Sequence, residues 1–460
     1  MMVKMDRFDV FVIGGGGTGS EVAFSVGSRS DLRVGLAERD KLGGECNHYG
    51  CVPTKTMLKS AKVAASARDA GRFGIDIPEV SVDFPTVMQR VRSVIEAQSG
   101  EGAKPFEEAG IRVFLEEARL TGEHRIETAD GTRIEAGRIV LATGTEADVP
   151  EIPGLADGPY WTNKEAIWSP KETPRSLAII GSGPIGAEFG QIYARFGSRV
   201  TVIETLDRVL PAEDADASAA MLPIFEADGI TLKVSASCIR AEHGDEGWRL
   251  EFEDGDVVNA EQVLVAAGRR TVFDVHDLDA AGIEVDEKGT PVLDDHLRTT
   301  AENVWTAGDA TGELLFTHVG SYEAELVVDE LLGEPRKRDY RVVPRVTFTE
   351  PEVASVGLTE EQAKSDRHDV ATSLVKFSDN ERSAIEGQTI GIVKLVADAK
   401  SRELLGGHIV GEGAGELIHE VVTAMAGRVD PLTAGEAIHA YPTLSESVKG
   451  AFLELAEKLH

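Results

Sequence analysis

The sequence predicts an α/β protein: two Rossmann-like dinucleotide-binding domains joined to an α+β domain at the C-terminal end. Three observations carry this. A short apolar, β-branched run at residues 8–13 leads into Gly14-Gly15-Gly16-Gly17-Thr18-Gly19, an apolar helical stretch and a second strand at 32–38. The same order returns with a strand at 177–180, Gly181-Ser182-Gly183-Pro184-Ile185-Gly186, a helix over 187–196 and a strand over 200–204. Beyond residue 344, strands near 346–348, 391–396 and 405–410 alternate with helices over 415–426 and 443–456. At 460 residues the chain has the length of about three domains.

The connecting segments follow from local signals. Between the two glycine loops the pattern predicts helices over 53–67 and 82–110, then strands ending in Ile139-Val140-Leu141-Ala142-Thr143-Gly144. The proline-containing stretch 150–174 marks a boundary. After the second loop a strand closes at 263–268, and Val304-Trp305-Thr306-Ala307-Gly308-Asp309 precedes a helix over 322–332. The charged stretch 333–344 marks the next boundary.

Composition excludes several classes. Lys and Arg total 47 against 79 Asp and Glu, a net charge of -32, so the summed field repels a phosphate backbone and anionic membrane surfaces. Neither nucleic acid nor membrane is expected as a partner. The acids are scattered, as on an acidic cytosolic enzyme or a salt-adapted surface. No apolar run reaches 18 residues, and residues 8–13 pass into glycines without a cleavage site, so a cytoplasmic chain is expected. Thiols there are reduced, and Cys46, Cys51 and Cys238 are no disulfide framework.

Each glycine loop follows a strand, opens a helix, and is followed about 20 residues later by an acid at a strand end, Glu38 and Glu204. Gly14, Gly16 and Gly19, and again Gly181, Gly183 and Gly186, supply the tight turn, the close approach of a pyrophosphate and the helix–strand contact. Each acid accepts from ribose hydroxyls. A carboxylate at Glu204 repels a 2′-phosphate, which favours NADH over NADPH, although Arg208 follows closely enough to soften the preference.

Cys46-Asn47-His48-Tyr49-Gly50-Cys51-Val52-Pro53-Thr54-Lys55 sets two thiols at the start of a helix. Such a pair closes a local disulfide, and a helix N-terminus stabilises a thiolate. Two structural cysteines and half a zinc site are the alternatives, but no second CxxC or His pair completes a metal site, and no metal is expected. Cys238 stands alone in a strand-like run, 230–239, and reads as a small core residue.

Taken in order, Gly43-Gly44-Glu45-Cys46 to Lys55, the tandem glycine loops and Thr306-Ala307-Gly308-Asp309 resemble the flavoprotein pyridine nucleotide-disulfide oxidoreductases, which include dihydrolipoyl dehydrogenase, glutathione reductase and mercuric reductase. The resemblance runs from about residue 8 to 449. It implies a dihydrolipoyl dehydrogenase-like enzyme that passes electrons between nicotinamide, flavin and a Cys46–Cys51 disulfide. Gly14, Gly16, Gly19, Glu38, Lys55, Thr143, Gly144 and Asp309 would hold FAD, and Gly181, Gly183, Gly186, Glu204 and Gly268 would hold NAD(H). Residues 1–150 with 271–335 would form the FAD domain, 151–270 the NAD(P) domain and 340–460 the dimerisation domain. Cys51 matches the thiol nearer the flavin, Cys46 the one that exchanges with substrate, and Lys55 and Glu188 an ion pair beside the flavin. The partner would be a second copy of the chain that completes the active site, and the substrate a small disulfide or dithiol.

The chain departs from that pattern in three places. Thr271-Val272 replaces the usual Pro-Asn after Gly268-Arg269, and Pro184 stands where some relatives carry a gating aromatic. Near the C-terminal end, Ile438-His439-Ala440-Tyr441-Pro442-Thr443-Leu444-Ser445-Glu446 keeps the family's glutamate but has tyrosine where relatives use an acid/base histidine. A phenol ionises near pH 10, so it is a poor base at neutral pH and a serviceable hydrogen-bond donor to a leaving thiolate. His439 would share a face with Tyr441 in an extended run. Mercuric reductases carry the tyrosine too, which makes that enzyme type an alternative. The absence of a vicinal cysteine pair at 455–460 and of an N-terminal metal-binding cysteine domain weighs against efficient mercury handling. A reductase of low-molecular-weight disulfides such as bis-γ-glutamylcystine, a quinone or oxygen reductase, and a redox sensor are the further alternatives.

Overall fold

The computed structural model describes residues 5–100 and 102–459, which divide into two compact units. The first comprises Met1–Thr56, Gln89–Asp148 and Arg269–Asp339, the second Met57–Met88, Val149–Gly268 and Tyr340–His460.

In the first unit, parallel strands Arg112–Phe114, Val34–Ala37, Met5–Ile13 and Arg133–Leu141 lie side by side. One edge of Arg133–Leu141 is shared: its first half pairs antiparallel with Arg125–Thr128, and its last residues pair parallel with Val304–Thr306. Side chains alternate across the sheet. Val10 and Val12 pack under the helices Gly17–Arg29 and Thr317–Leu332 through Val22, Ala23, Val26, Ala324 and Val327. Phe11, Ile13, Ile139 and Leu141 face the other way, onto Leu120, Ile126 and Ile283. Each such buried Val, Leu, Ile or Phe side chain contributes about 1.5–3 kcal/mol. The parallel strands end together, so the segments after Ile13, Ala37, Leu141 and Thr306 gather at one rim of the sheet, where open α/β sheets bind ligands.

The second unit holds three sheets. Parallel strands Thr231–Lys233, Arg199–Ile203, Ser176–Ile180 and Gln262–Val265 repeat the nucleotide-binding order, flanked by the antiparallel ribbon Cys238–Gly244, Gly247–Phe252 and Val257–Ala260. A five-stranded antiparallel sheet follows: Pro344–Thr347, Glu352–Gly357, Leu404–Gly411, Ile392–Asp398 and Val370–Lys376. Ser445–Lys458 buries Val448, Ala451, Phe452 and Leu455 against it, the spacing of one helix face.

Several elements differ from the sequence expectation. Residues 230–239 hold all of one short strand, Thr231–Lys233, and the start of another, Cys238–Gly244, and Cys238 is half-buried at the edge of a cluster instead of inside it. The helix expected from 322 begins at Thr317. Glu352–Gly357 and Val370–Lys376 escape sequence reading because buried Ser355 breaks the apolar run of the first and buried Ser373 stands between Ala371 and Val375 in the second. Among the described residues no helix is long and apolar enough to cross a membrane.

Candidate active site: two glycine loops and a thiol pair

The two glycine loops repeat one another in geometry as well as in sequence. Gly14 and Gly181 both adopt φ +104°, and an added Cβ would stand 2.2 Å from the Ala142 carbonyl oxygen in one and 2.3 Å from that of Ala266 in the other. Cβ atoms at Gly19 and Gly186 would meet the carbonyls of Gly14 and Gly181 at 1.9 and 2.0 Å. These glycines are required by packing. Gly16 and Gly183 differ, since nothing lies within 4 Å of a Cβ built there. They cap the helices Gly17–Arg29 and Pro184–Arg195 without a side-chain acceptor, so each open face presents helix N–H groups suited to a phosphate.

Around the first loop, Glu38 accepts from Gly15 N–H at 2.7 Å and Asp40 N–H at 2.8 Å. Gly144 turns at φ +70°, and the buried Thr143 Oγ1 has no hydrogen-bond partner among the described residues. Asp309 lies in the turn Gly308–Thr311, with Gly308 N–H held by buried Glu323 at 2.6 Å. Burial pushes the Asp309 carboxyl up, against the pull of Arg269 and of a 3.3 Å bond from Thr145 Oγ1. Arg269 Nε donates to Thr145 Oγ1 at 2.7 Å and its Nη1 reaches Glu45 Oε1 at 3.3 Å. Glu45 is next to Cys46, so this chain of bonds ties the thiol segment to Asp309. The sequence flagged Gly268, with φ +155°, for the nicotinamide side, whereas the adjoining Arg269 serves the first unit.

The segment that leads into the thiols lies against the same loop. Gly43 N–H bonds Gly15 O at 2.8 Å, and a Cβ at Gly44 would meet Gly16 Cα at 2.7 Å, so only glycines admit this approach. Cys46 sits in the short helix Gly44–His48 and Cys51 opens Cys51–Arg68; both are half-buried. The Cys46 thiol is pushed up by its hydrogen bond with Cys51, by burial and by the charge on Cys51, against the pull of Thr317 and Lys55. Cys51, in the first turn of an 18-residue helix, occupies a place where negative charge is favoured. Thr317 Oγ1 lies 3.5 Å from Cys51 Sγ. Nothing in the sequence signals Thr317, which is 266 residues away along the chain.

At the second loop, Glu204 accepts from Ser182 N–H (3.0 Å), Ser182 Oγ (2.8 Å), Leu206 N–H (3.0 Å) and Thr205 Oγ1 (3.2 Å). Burial pushes this carboxyl up, but these bonds prevail and hold it below the usual range. Arg208 bonds Glu361 through Nη1 at 3.1 Å and Nη2 at 2.8 Å. In the same unit Glu188 is buried and accepts from Phe348 N–H at 3.0 Å, while Lys55 belongs to the first unit.

Near the C-terminal end, Tyr441 is 72% exposed beside Ile438 at 98%. His439 does not share that face: its ring is bonded to Glu420 Oε1 at 2.8 Å and Ala437 O at 2.9 Å. Glu446 accepts from Thr443 N–H at 3.1 Å. Among the described residues no cluster of three His, Cys, Asp or Glu side chains suits a metal.

A family model described as pyridine nucleotide-disulphide oxidoreductase matches residues 8–324, more than half of the chain. The chain belongs to this family. A second model, the family's dimerisation domain, matches residues 343–452. The oxidoreductase is 36% identical over 465 residues to a dihydrolipoyl dehydrogenase of Chlorobaculum parvum, covering 98% of each. It is 34% identical over 451 residues to a mercuric reductase of Bacillus cereus, covering 97% of this chain and 71% of that one. Among solved structures, the HOCl-induced flavoprotein disulfide reductase RclA of Escherichia coli matches with a TM-score of 0.87 at 29% identity, over 97% of this chain and 99% of the other. The oxidoreductase is thus an α/β flavoprotein that uses FAD and a pyridine nucleotide. Its residues suit such groups: two open helix N-termini, two carboxylates at strand ends, Glu38 and Glu204, and an orphaned hydroxyl, Thr143 Oγ1, in the first unit.

Proposed function

We propose that this oxidoreductase is a homodimeric, cytoplasmic, NADH-preferring reductase of a small disulfide, with residues 1–150 and 271–335 holding FAD, 151–270 the nicotinamide nucleotide and 340–460 the dimer contact. Gly14, Gly16, Gly19, Glu38, Lys55, Thr143, Gly144 and Asp309 serve FAD; Gly181, Gly183, Gly186, Glu204 and Gly268 serve NAD(H). The observation that carries the reading is the thiol pair Cys46 and Cys51 following directly on Gly43 and Gly44, which pack on the first glycine loop. Bound FAD supplies hydride acceptance and two-electron delivery to a disulfide.

The chain's own residues supply the exchange. Cys46 gives up its proton and its sulfur attacks the substrate disulfide, forming a mixed disulfide and releasing one thiolate, which takes up a proton. Cys51 then attacks Cys46 Sγ, closing the Cys46–Cys51 bond and releasing the second thiol. The partner subunit's Tyr441, a hydroxyl that both donates and accepts, passes the proton toward the leaving sulfur, with Glu446 anchoring its segment through Thr443. Exposed Ile438 and Tyr441 support a face covered by a second copy. Lys55 and Glu188 are assigned as the charged pair beside the flavin. NADH preference is supported by the carboxylate at Glu204 and by Arg208, whose guanidinium is committed to Glu361.

A mercuric reductase-type activity is the second reading, favoured by Tyr441 and the identity to the Bacillus cereus enzyme. Steady-state turnover of NADH and NADPH with lipoamide, glutathione disulfide, bis-γ-glutamylcystine, Hg(II) and a quinone, at low and molar salt, separates them. Disulfide turnover with NADH is expected. Turnover of Hg(II) alone would replace this proposal with the second reading, and turnover of quinone alone would remove both.

A further inference from the structure

The tandem loops offer an internal comparison, because the same acid serves both but has different partners. Among the described residues Glu38 accepts two hydrogen bonds, one on each oxygen, from Gly15 N–H and Asp40 N–H. A carboxylate has about four acceptor positions, so one stays open on each Glu38 oxygen. Glu204 accepts four: Ser182 N–H and Ser182 Oγ on Oε2, Thr205 Oγ1 and Leu206 N–H on Oε1. Its capacity is filled by the protein itself.

The two hydroxyls on Glu204 are not equivalent. Thr205 is exposed and its bond is 3.2 Å, so water replaces Glu204 as its partner when a ligand arrives. Ser182 is fully buried, its bond is 2.8 Å, and a displaced hydroxyl there is left without a partner. The first loop has no room for such a hydroxyl, since a Cβ at Gly15 would stand 2.8 Å from both Glu38 Cβ and Leu42 Cδ2.

We propose that Ser182 sets the affinity of the second site, by retaining Glu204 Oε2 so that the adenosine ribose is bound through one hydroxyl, whereas Glu38 binds its ribose through two. The inference rests on the second loop being the pyridine-nucleotide site. Its consequence is chemical economy: a resident cofactor is gripped, and a cosubstrate that must leave each turnover is held less tightly.

The test is calorimetric titration of the holoenzyme with ADP-ribose, which undergoes no redox reaction. Ser182→Ala and Ser182→Gly are expected to bind it about fivefold more tightly, the equivalent of one hydrogen bond of about 1 kcal/mol. The gain is expected to vanish for the 2′,3′-dideoxyadenosine analogue, and Thr205→Ala to shift binding by less than about twofold. Folded variants that bind ADP-ribose no better than wild type would overturn the inference alone. Absence of ADP-ribose binding by wild type would overturn the reading of the loop and this inference with it. A measurement on wild type needs no variant: of the 2′-deoxy and 3′-deoxy analogues, one is expected to bind within about twofold of ADP-ribose, and comparable large losses for both would overturn the proposal.

Discussion

Gly14 and Gly16 stand two residues apart in one loop, and the structure assigns them opposite consequences on substitution. In Gly14→Ala the new Cβ enters a residue with φ +104° and lies 2.2 Å from the Ala142 carbonyl oxygen. The left-handed conformation costs roughly 1–2 kcal/mol and the overpacking roughly 1–3 more. A total of about 2–5 kcal/mol lowers the unfolding temperature of the apoprotein by roughly 4–20 °C, at about 2–4 °C per kcal/mol. In Gly16→Ala the Cβ meets nothing within 4 Å. Apoprotein stability is then expected within about 0.5 kcal/mol of wild type. The methyl group instead fills the open face proposed to receive the pyrophosphate, so the purified variant is expected to lose most of its flavin absorbance. Thermal unfolding of apoprotein and flavin content of purified protein measure the two effects separately. Retention of FAD by Gly16→Ala at the wild-type level would falsify the assignment of that face, and an unperturbed unfolding temperature in Gly14→Ala would contradict the packing argument.

Three further outcomes follow from the charges. Cys51→Ala removes the largest cause of the raised Cys46 thiol, so iodoacetamide alkylation of reduced Cys46 is expected to rise at lower pH than in wild type; an unmoved profile would contradict the coupling. Lys394, with 3% side-chain exposure, bonds Asp214, Asp216 and Glu360; Lys394→Met leaves the Asp214 carboxylate buried and uncompensated, a loss of about 3–5 kcal/mol in denaturant unfolding. His276 accepts from Leu120 N–H and burial depresses its titration to about 4, so it is neutral in the fold and charges first in the unfolded chain. Its contribution is complete above about pH 6.5 and is lost as pH falls toward about 4, at most about 3 kcal/mol and less for a ring only partly enclosed; His276→Asn is expected to flatten that acid limb in pH-dependent unfolding.

What was legible in the sequence were features whose chemistry is local. Gly14 and Gly181 are forced by φ, their strands by β-branched runs, and Cys46 and Cys51 are five positions apart, so pattern alone locates them. The supporting groups were not legible because folding brings them from afar. Thr317 reaches Cys51, and Arg269 joins Thr145 to Glu45, through contacts that no spacing encodes. His439 shows the opposite failure: alternation placed it beside Tyr441, but its hydrogen bond to Glu420 turns the ring off that face. Saturation of Glu204 is visible only in three dimensions, since Ser182 in a glycine loop reads as a tolerated small residue until its hydroxyl is found on the carboxylate.

The central claim is that electrons from the nicotinamide nucleotide reach the Cys46–Cys51 pair. Anaerobic addition of one equivalent of NADH per subunit to the oxidised enzyme, followed by alkylation and peptide mass analysis, tests it most directly. Both cysteines are expected to pass from disulfide to alkylated thiol, and Cys46→Ala to abolish disulfide turnover. Loss of flavin colour with Cys46 and Cys51 still joined, together with full turnover in Cys46→Ala, would contradict the account.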